Sequence, residues 1–347
     1  MSEFDKIVDF GLLYKAYRKS KSGKGFSKSR LKFEVNTLDG IYQIKRLLET
    51  KQFQVSPYNR FTVYEPKERI IEAGSFKDKI VQHSLCDNIL LPLLKDEFIQ
   101  TNVAGQIGKG TLYGLECLRA HMLLAYAKYG HECWIVKADV TKYFYSISHD
   151  ILKDIVQYFV HDENVYWLCE KFIDSTKGIG LPLGNQVTQV FALLFLSGLD
   201  HFITGELGVK YYGRYMDDFY LIVPTKAYAK WCLECIQEFV ETLNLELNGK
   251  TQLIPFKNGI RYCGFHSYMT KDGKYIRKLL NEKKRGAKKK YRSMAKAVLK
   301  GKISKKKFQE SYDSFKNYIS HGNCIKFGRE LDVMVNEIFE NYNPIKE

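Results

Sequence analysis

The sequence predicts an α+β chain, on three observations. Tyr211 to Val223 reads as two aromatic and β-branched runs flanking Asp217-Asp218, the pattern of a tight β-hairpin with carboxylates at its tip. Trp134 to Val140 is a short apolar run that fits a buried strand and ends by presenting Asp139. Around these strands lie longer stretches with apolar residues at helical spacing, and the last of them is strongly basic.

The chain has 347 residues, enough for two or three sub-domains and a sizeable core. Apolar residues make up 45% and aromatics 14%, with only 7 prolines, which excludes a disordered tail. A net charge of +15 points to a polyanionic partner. From Arg277 to Lys307 there are fifteen Lys or Arg against one acid, Glu282, so the rest of the chain is almost neutral. Among 8 cysteines, Cys232-x-x-Cys235 is the only close pair, and a zinc site needs a second. Both read as core thiols. Phe10 to Tyr14 is too short for a signal peptide, and no apolar run approaches the ~20 residues of a membrane span. A reducing cytoplasm is the expected compartment.

Taken in order, residues 1 to 55 read as helical, with Leu38, Ile41, Ile44, Leu47 and Leu48 at helical spacing and a solvated loop from Ser20 to Gly25. Tyr58 to Glu72 reads as two extended runs joined through Pro66, a second hairpin, followed by a helix from about Phe76 to Leu85. Gly105 to Thr111 lacks the order and the preceding strand of a phosphate loop, which argues against an NTPase. A helix then runs from Leu112 to Tyr129. Ser148 stands where a cap belongs for a helix from His149 to Phe159. Gly178 to Gly184 is a Gly/Pro-rich turn opening, with Asn185 as cap, onto an apolar helix that reaches about Ile203. Another helix spans Lys226 to about Leu243. Beyond Lys274, Tyr291, Met294, Phe308, Tyr312, Phe315, Tyr318 and Ile319 sit among the charges as amphipathic segments.

An Asp-Asp turn alone is an ordinary surface hairpin, because aspartate forms turns readily. Asp139 changes that reading. If the two strands are neighbours, Asp139, Asp217 and Asp218 converge and can hold two divalent cations roughly 3.5–4 Å apart, which suits in-line phosphoryl transfer.

At this point the sequence resembles a known family. Tyr215-Met216-Asp217-Asp218 matches the metal-binding box of reverse transcriptases, and Lys137 to Phe144 matches their first catalytic strand. The other blocks follow in the family's order over roughly residues 60 to 270. The Gly184-Asn185 to Gln189 block is most similar to diversity-generating retroelement and bacterial defence-associated (retron and group II-like) enzymes, departing at Thr188 where retroelement enzymes usually carry Ser.

The resemblance implies a right-hand polymerase with an antiparallel palm sheet and a helical C-terminal thumb. The N-terminal region and fingers would take residues 1–130, the palm 131–270 and the basic thumb 271–347. Two Mg²⁺ (or Mn²⁺) would be held by Asp139, Asp217 and Asp218, with Val140 in the metal set. Arg69, then Lys67, would clamp the dNTP triphosphate, since a planar guanidinium donates two bonds at once. Phe144 would stand as an aromatic gate that collides with a ribose 2′-hydroxyl. Leu183, Gly184 and Gln189 would line the nucleotide, and Leu183 occupies a position where retroviral enzymes carry Gln. Lys250 would lie near the phosphates, with an ordinary salt bridge the equal alternative. Tyr262 and Gly264 fall in the primer grip, and Lys288, Lys289 and Lys290 would follow the phosphates of a cDNA/RNA hybrid.

The implied template is RNA, a cognate non-coding or template-repeat RNA in a bacterial or phage system, with a small accessory protein or a second copy as a further partner. No length remains for an RNase H module. An RNA-dependent RNA polymerase is disfavoured by Phe144 and by Met216 before the aspartates, and a non-catalytic RNA-binding scaffold by the three carboxylates.

Overall fold

The computed structural model describes residues 2–22, 27–64 and 68–340. A two-stranded hairpin comes first, β1 (Asn59–Val63) on β2 (Arg69–Ala73). The four-stranded sheet holds β3 (Trp134–Ala138), β4 (Tyr211–Tyr215), β5 (Asp218–Val223) and β6 (Gln252–Pro255) in the order β4-β5-β3-β6. β7 (Ile260–Tyr262), β8 (Phe265–Met269) and β9 (Tyr275–Leu279) form a third sheet. All these strand pairings are antiparallel.

The run ending on Asp139 is apolar except for Lys137 because β3 is central and both faces are covered. Side chains alternate along a strand. Val136 and Ala138, with Phe219, Leu221 and Val223 of β5, join the large core containing the helices Gln186–Phe195 and Lys226–Thr242. Ile135, Tyr220 and Ile222 face the other way, onto Leu118, Met122 and Ala125 of the helix Thr111–Tyr129 and onto Tyr262 and Met269 of the third sheet. Cys232 is buried in that large core with half-buried Cys235 packed against it, and all eight cysteines are free.

Three sequence expectations need correcting here. The helical stretch Gln186–Glu206 has 21 residues and is apolar enough to span a membrane by length and composition, because helical turns continue past Leu196. It is 72% buried and serves as a core helix. Neither Ser148 nor Asn185 caps with its side chain. For the helix at Gln186, the first backbone N–H donates instead to Gln82 Oε1 from the helix Phe76–Leu85 (3.1 Å). Near the N-terminus Ile41, Ile44 and Leu48 are buried, whereas Leu38 is exposed. Part of the expected Gly/Ser/Lys loop, Gly23 to Gly25, lies outside the described residues.

The C-terminal helices Asn281–Leu299, Lys305–Ser320 and Ile325–Glu340 share their own core. Tyr291 is fully buried there, edge-on to Tyr312 (5.1 Å between centroids), with its hydroxyl donating to Ser311 O (2.8 Å). Arg277, counted above with the basic stretch, is buried. It donates to Glu116 Oε1 (3.0 Å), Leu115 O (2.7 Å) and His321 O (2.8 Å), stapling β9 between the Thr111–Tyr129 helix and the C-terminal helices.

Candidate active site

The site forms where β3 and the β4–β5 turn end side by side. Ala138 pairs with Phe219 and Tyr215 with Asp218, so the same register continued by one residue brings Asp139 opposite Asp218, beside the two-residue turn Met216-Asp217. Met216 has φ 57°, a left-handed conformation unusual for a residue with a side chain. Beyond β3, Asn248 N donates to Asp139 O (2.7 Å) and Thr141 N to Glu246 O (2.9 Å). These two bonds bracket the Val140–Leu247 bridge, so the Val140 carbonyl turns away from that segment, toward β5.

Asp139 and Asp217 meet, carboxyl to carboxyl, within hydrogen-bond reach. Burial first, and the Asp139 charge second, push Asp217 up to about 6, while Arg69 on the β1–β2 hairpin draws it back down. Two crowded carboxylates, one with its hold on a proton raised by burial and by its neighbour, make an acceptor set that a divalent cation would relieve. The donor set therefore fits such an ion.

Asp218 departs from the expectation. Strand alternation puts it on the Tyr220 face, where Lys137, opposite Tyr220 in register, forms an ion pair with it. Among the described residues no group of three His, Cys, Asp or Glu is arranged to hold a metal ion. The structure thus joins Asp139 and Asp217 and holds Asp218 against Lys137. Lys137 lies over the Tyr262 ring (5.6 Å), and burial draws its ammonium down to about 8 against the pull of Asp139.

Phe144 follows a left-handed Lys142 (φ 45°) on the short helix Tyr143–Ser146. Its half-buried ring is edge-on to Tyr143 (5.7 Å), and its carbonyl accepts from Leu181 N (2.7 Å). Leu183 O accepts from Glu72 N (2.9 Å), tying the Gly/Pro turn to β2. Gly184 has φ 109°, and a Cβ there would sit 2.8 Å from Ile71 Cγ2, so the close approach it permits is to β2. Buried Asn185 accepts from Gly74 N (3.1 Å) and donates to Glu72 O (2.9 Å). Exposed Gln189 joins Gly184 and Lys79 around a cavity of about 180 Å³. Arg69 and Lys250 are both exposed; Lys67 lies outside the described residues.

Of the two residues expected in the primer grip, Tyr262 is internal and Gly264 is half-buried. Tyr262 is 2% exposed and packs edge-on to Tyr220 (5.1 Å), because β7 turns it into the interface between the two larger sheets. Cys263 (φ 47°) and Gly264 (φ 87°) form a turn with positive φ at both central residues, the type I′ pattern. A Cβ on Gly264 would lie 2.6 Å from Tyr318 Oη, so the glycine makes room for a C-terminal helix. Lys288, Lys289 and Lys290, consecutive on a helix, point in different directions. Lys288 pairs with Glu330 (3.1 Å) and lies over Phe327 (5.8 Å); Lys290 lies over Tyr291 (5.2 Å).

Lys137, Arg214 and Asp200 are site residues that the sequence motifs do not single out. Lys137 shares its strand face with Asp139 by alternation, which was readable. Arg214 on an aromatic strand and Asp200 in an apolar helix were also visible as charges without obvious solvent.

An antiparallel sheet presenting paired carboxylates, with a hairpin arm before it and a basic helical unit after it, is the architecture of a right-hand polymerase. Residues 66–267 match the family described as reverse transcriptase (RNA-dependent DNA polymerase), and the chain belongs to that family. It is 28% identical over 221 residues to the putative COX1/OXI3 intron 2 protein of Saccharomyces cerevisiae, a match covering 58% of this chain and 24% of that protein. An uncharacterized 91 kDa protein in the cob intron of Schizosaccharomyces pombe is 26% identical over 215 residues, 57% of this chain and 25% of that one. The matches thus span about a quarter of the length of these relatives. A solved telomerase from Candida albicans, in complex with a TWJ fragment of telomeric RNA, superposes with a TM-score of 0.49 at 13% identity, covering 85% of this chain and 64% of that one.

Proposed function

We propose that the chain is an RNA-directed DNA polymerase that adds deoxynucleotides to a primer 3′ end on an RNA template. The observation that carries this is the meeting of Asp139 and Asp217 at the ends of adjacent strands, in a chain of the reverse transcriptase family. Asp139 and Asp217 would hold Mg²⁺, with the Val140 carbonyl turned toward β5 beside them and Asp218 joining on release from Lys137. Bound there, the ions supply charge neutralisation for the attacking 3′-oxygen and the departing pyrophosphate.

The chain's own residues do the positioning, where most of the barrier lowering lies in such reactions. Arg69, already within electrostatic reach of Asp217, binds the triphosphate from the hairpin arm. Phe144, its backbone fixed by Leu181 and its ring by Tyr143, stands against the sugar and excludes a 2′-hydroxyl. Lys250 extends from the segment that pins Asp139 and meets the phosphates. Residues 1–130 would serve as N-terminal region and fingers, 131–270 as palm and 271–347 as thumb, the last laying its exposed lysines along the hybrid.

The setting supported by the Gly184-Asn185 to Gln189 block is a bacterial or phage retroelement that diversifies a target gene, or antiphage defence. The intron names of the relatives favour an intron-borne element as the second reading. Purified protein given a heteropolymeric RNA template, a DNA primer, dNTPs and Mg²⁺ should extend the primer toward the template end. Folded protein that extends only with rNTPs, or not at all, would overturn the proposal.

A further inference from the structure

Arg214 and Asp200 are both fully buried, and their pairing is complete: Nε donates to Oδ1 (2.7 Å) and Nη2 to Oδ2 (2.6 Å). Asp200 also accepts from Tyr212 Oη (2.6 Å) and Asn102 Nδ2 (3.3 Å). A buried ion pair is weak evidence for stability, since an apolar pair of similar volume often does as well. What simple core packing leaves unexplained is where the remaining arm points. Arg214 Nη1 donates to the Met216 carbonyl (2.9 Å), and Met216 is the residue held at φ 57°. Positive φ at the first central turn residue only is the type II′ pattern, which ordinarily carries glycine there. A methionine at that place is strained and persists only if its surroundings hold it.

The rigid guanidinium fork suits that task. Asp200 fixes two of its nitrogens in plane, and the third is thereby aimed at the turn. The backbone reinforces the setting: Arg214 N donates to Thr101 O and Val103 N to Arg214 O (2.9 Å each). We infer that Arg214, locked by Asp200, is a positioning residue that holds the strained Met216 turn so that Asp217 stands against Asp139. The inference rests on the reading of Asp217 as a catalytic carboxylate. Lysine could not replace it, because one ammonium cannot span Asp200 and Met216 O together.

The test is the charge-neutral pair Arg214→Met with Asp200→Asn, which leaves no buried charge unpaired and keeps an acceptor for Tyr212. With a thermal midpoint showing it folded, turnover should fall roughly a hundredfold while primer–template Kd stays within about twofold. Amide hydrogen exchange in the peptide covering Tyr215 to Phe219 should quicken. Met216→Gly added to the pair should recover part of the turnover, measured against Met216→Gly alone, because glycine takes positive φ without strain. A folded pair with turnover within about twofold of the parent, or no recovery with glycine, overturns the inference. If the pair does not fold, Arg214→Lys serves with the same expected and contrary results. Asp217→Asn in the otherwise native chain separates the two failures. Retained turnover there sinks the catalytic reading; its loss beside a fully active pair variant sinks only the clamp.

Discussion

Asp217→Asn should stabilise the metal-free protein while ending its activity. Burial and the Asp139 charge raise Asp217 from an ordinary 3.8 to about 6. A carboxyl whose folded pKa lies above its unfolded value binds its proton more tightly when folded. Its contribution is therefore fully present below about pH 4 and is lost as pH rises through about 6. At ~1.4 kcal/mol per tenfold change in proton affinity, an ionised Asp217 opposes folding by at most ~3 kcal/mol, and solvent reaching the turn trims this to ~1–2 kcal/mol. Denaturant titrations of both proteins in EDTA should show the Asp217→Asn variant the more stable by about that amount near pH 7.5, the gap closing toward about pH 4. Mg²⁺ should narrow the gap from the other side by stabilising only the aspartate form. An asparagine variant that is less stable near neutrality, or a gap independent of pH, would refute the crowding of Asp139 and Asp217.

Phe144→Ala should raise the ratio of rNTP to dNTP incorporation efficiency, and an unchanged ratio in an active enzyme makes the ring a core aromatic only. Gly264→Ala should cost ~1–3 kcal/mol in denaturant unfolding, since it meets both a positive φ of 87° and Tyr318 Oη at 2.6 Å; a neutral result contradicts the packing described. Lys289→Gln with Lys290→Gln should flatten the slope of log K against log salt on an unrelated hybrid by up to about two units, each phosphate contributing about 0.9 on B-form DNA. Lys288→Gln should do less, because Glu330 already engages that ammonium at 3.1 Å. Equal effects from all three would contradict the helix geometry, and no change from any would exclude the duplex backbone as their ligand.

The centre of the fold was legible because its signals are local. A short apolar run reads as a buried strand and aromatic alternation around Asp217-Asp218 reads as a hairpin; that the two are neighbours was a condition of the reading, and the β3–β5 pairing meets it. Other residues meet partners that lie far away in sequence. Gly184 was read as lining the nucleotide, Gly264 as part of the primer grip and Asn185 as a helix cap, but a sequence does not say what approaches each of them. Ile71 fills the room at Gly184 and Tyr318 at Gly264, while Asn185 ties two segments together. Tyr262, expected in the primer grip, and Arg277, counted with the basic stretch, are buried, because β7 and β9 pack against neighbours far away in sequence. Asp218 was assigned with its neighbour, and the structure gives it an ion pair with Lys137, a partner the motif did not name.

The most direct measurement is single-turnover primer extension on an RNA template by the parent, Asp139→Asn and Asp217→Asn, with primer–template Kd determined for each. Loss of roughly a thousandfold or more in rate for both variants, at affinities within about twofold of the parent, is the expected result. Extension by either variant within about tenfold of the parent rate would contradict a catalytic centre built on Asp139 and Asp217.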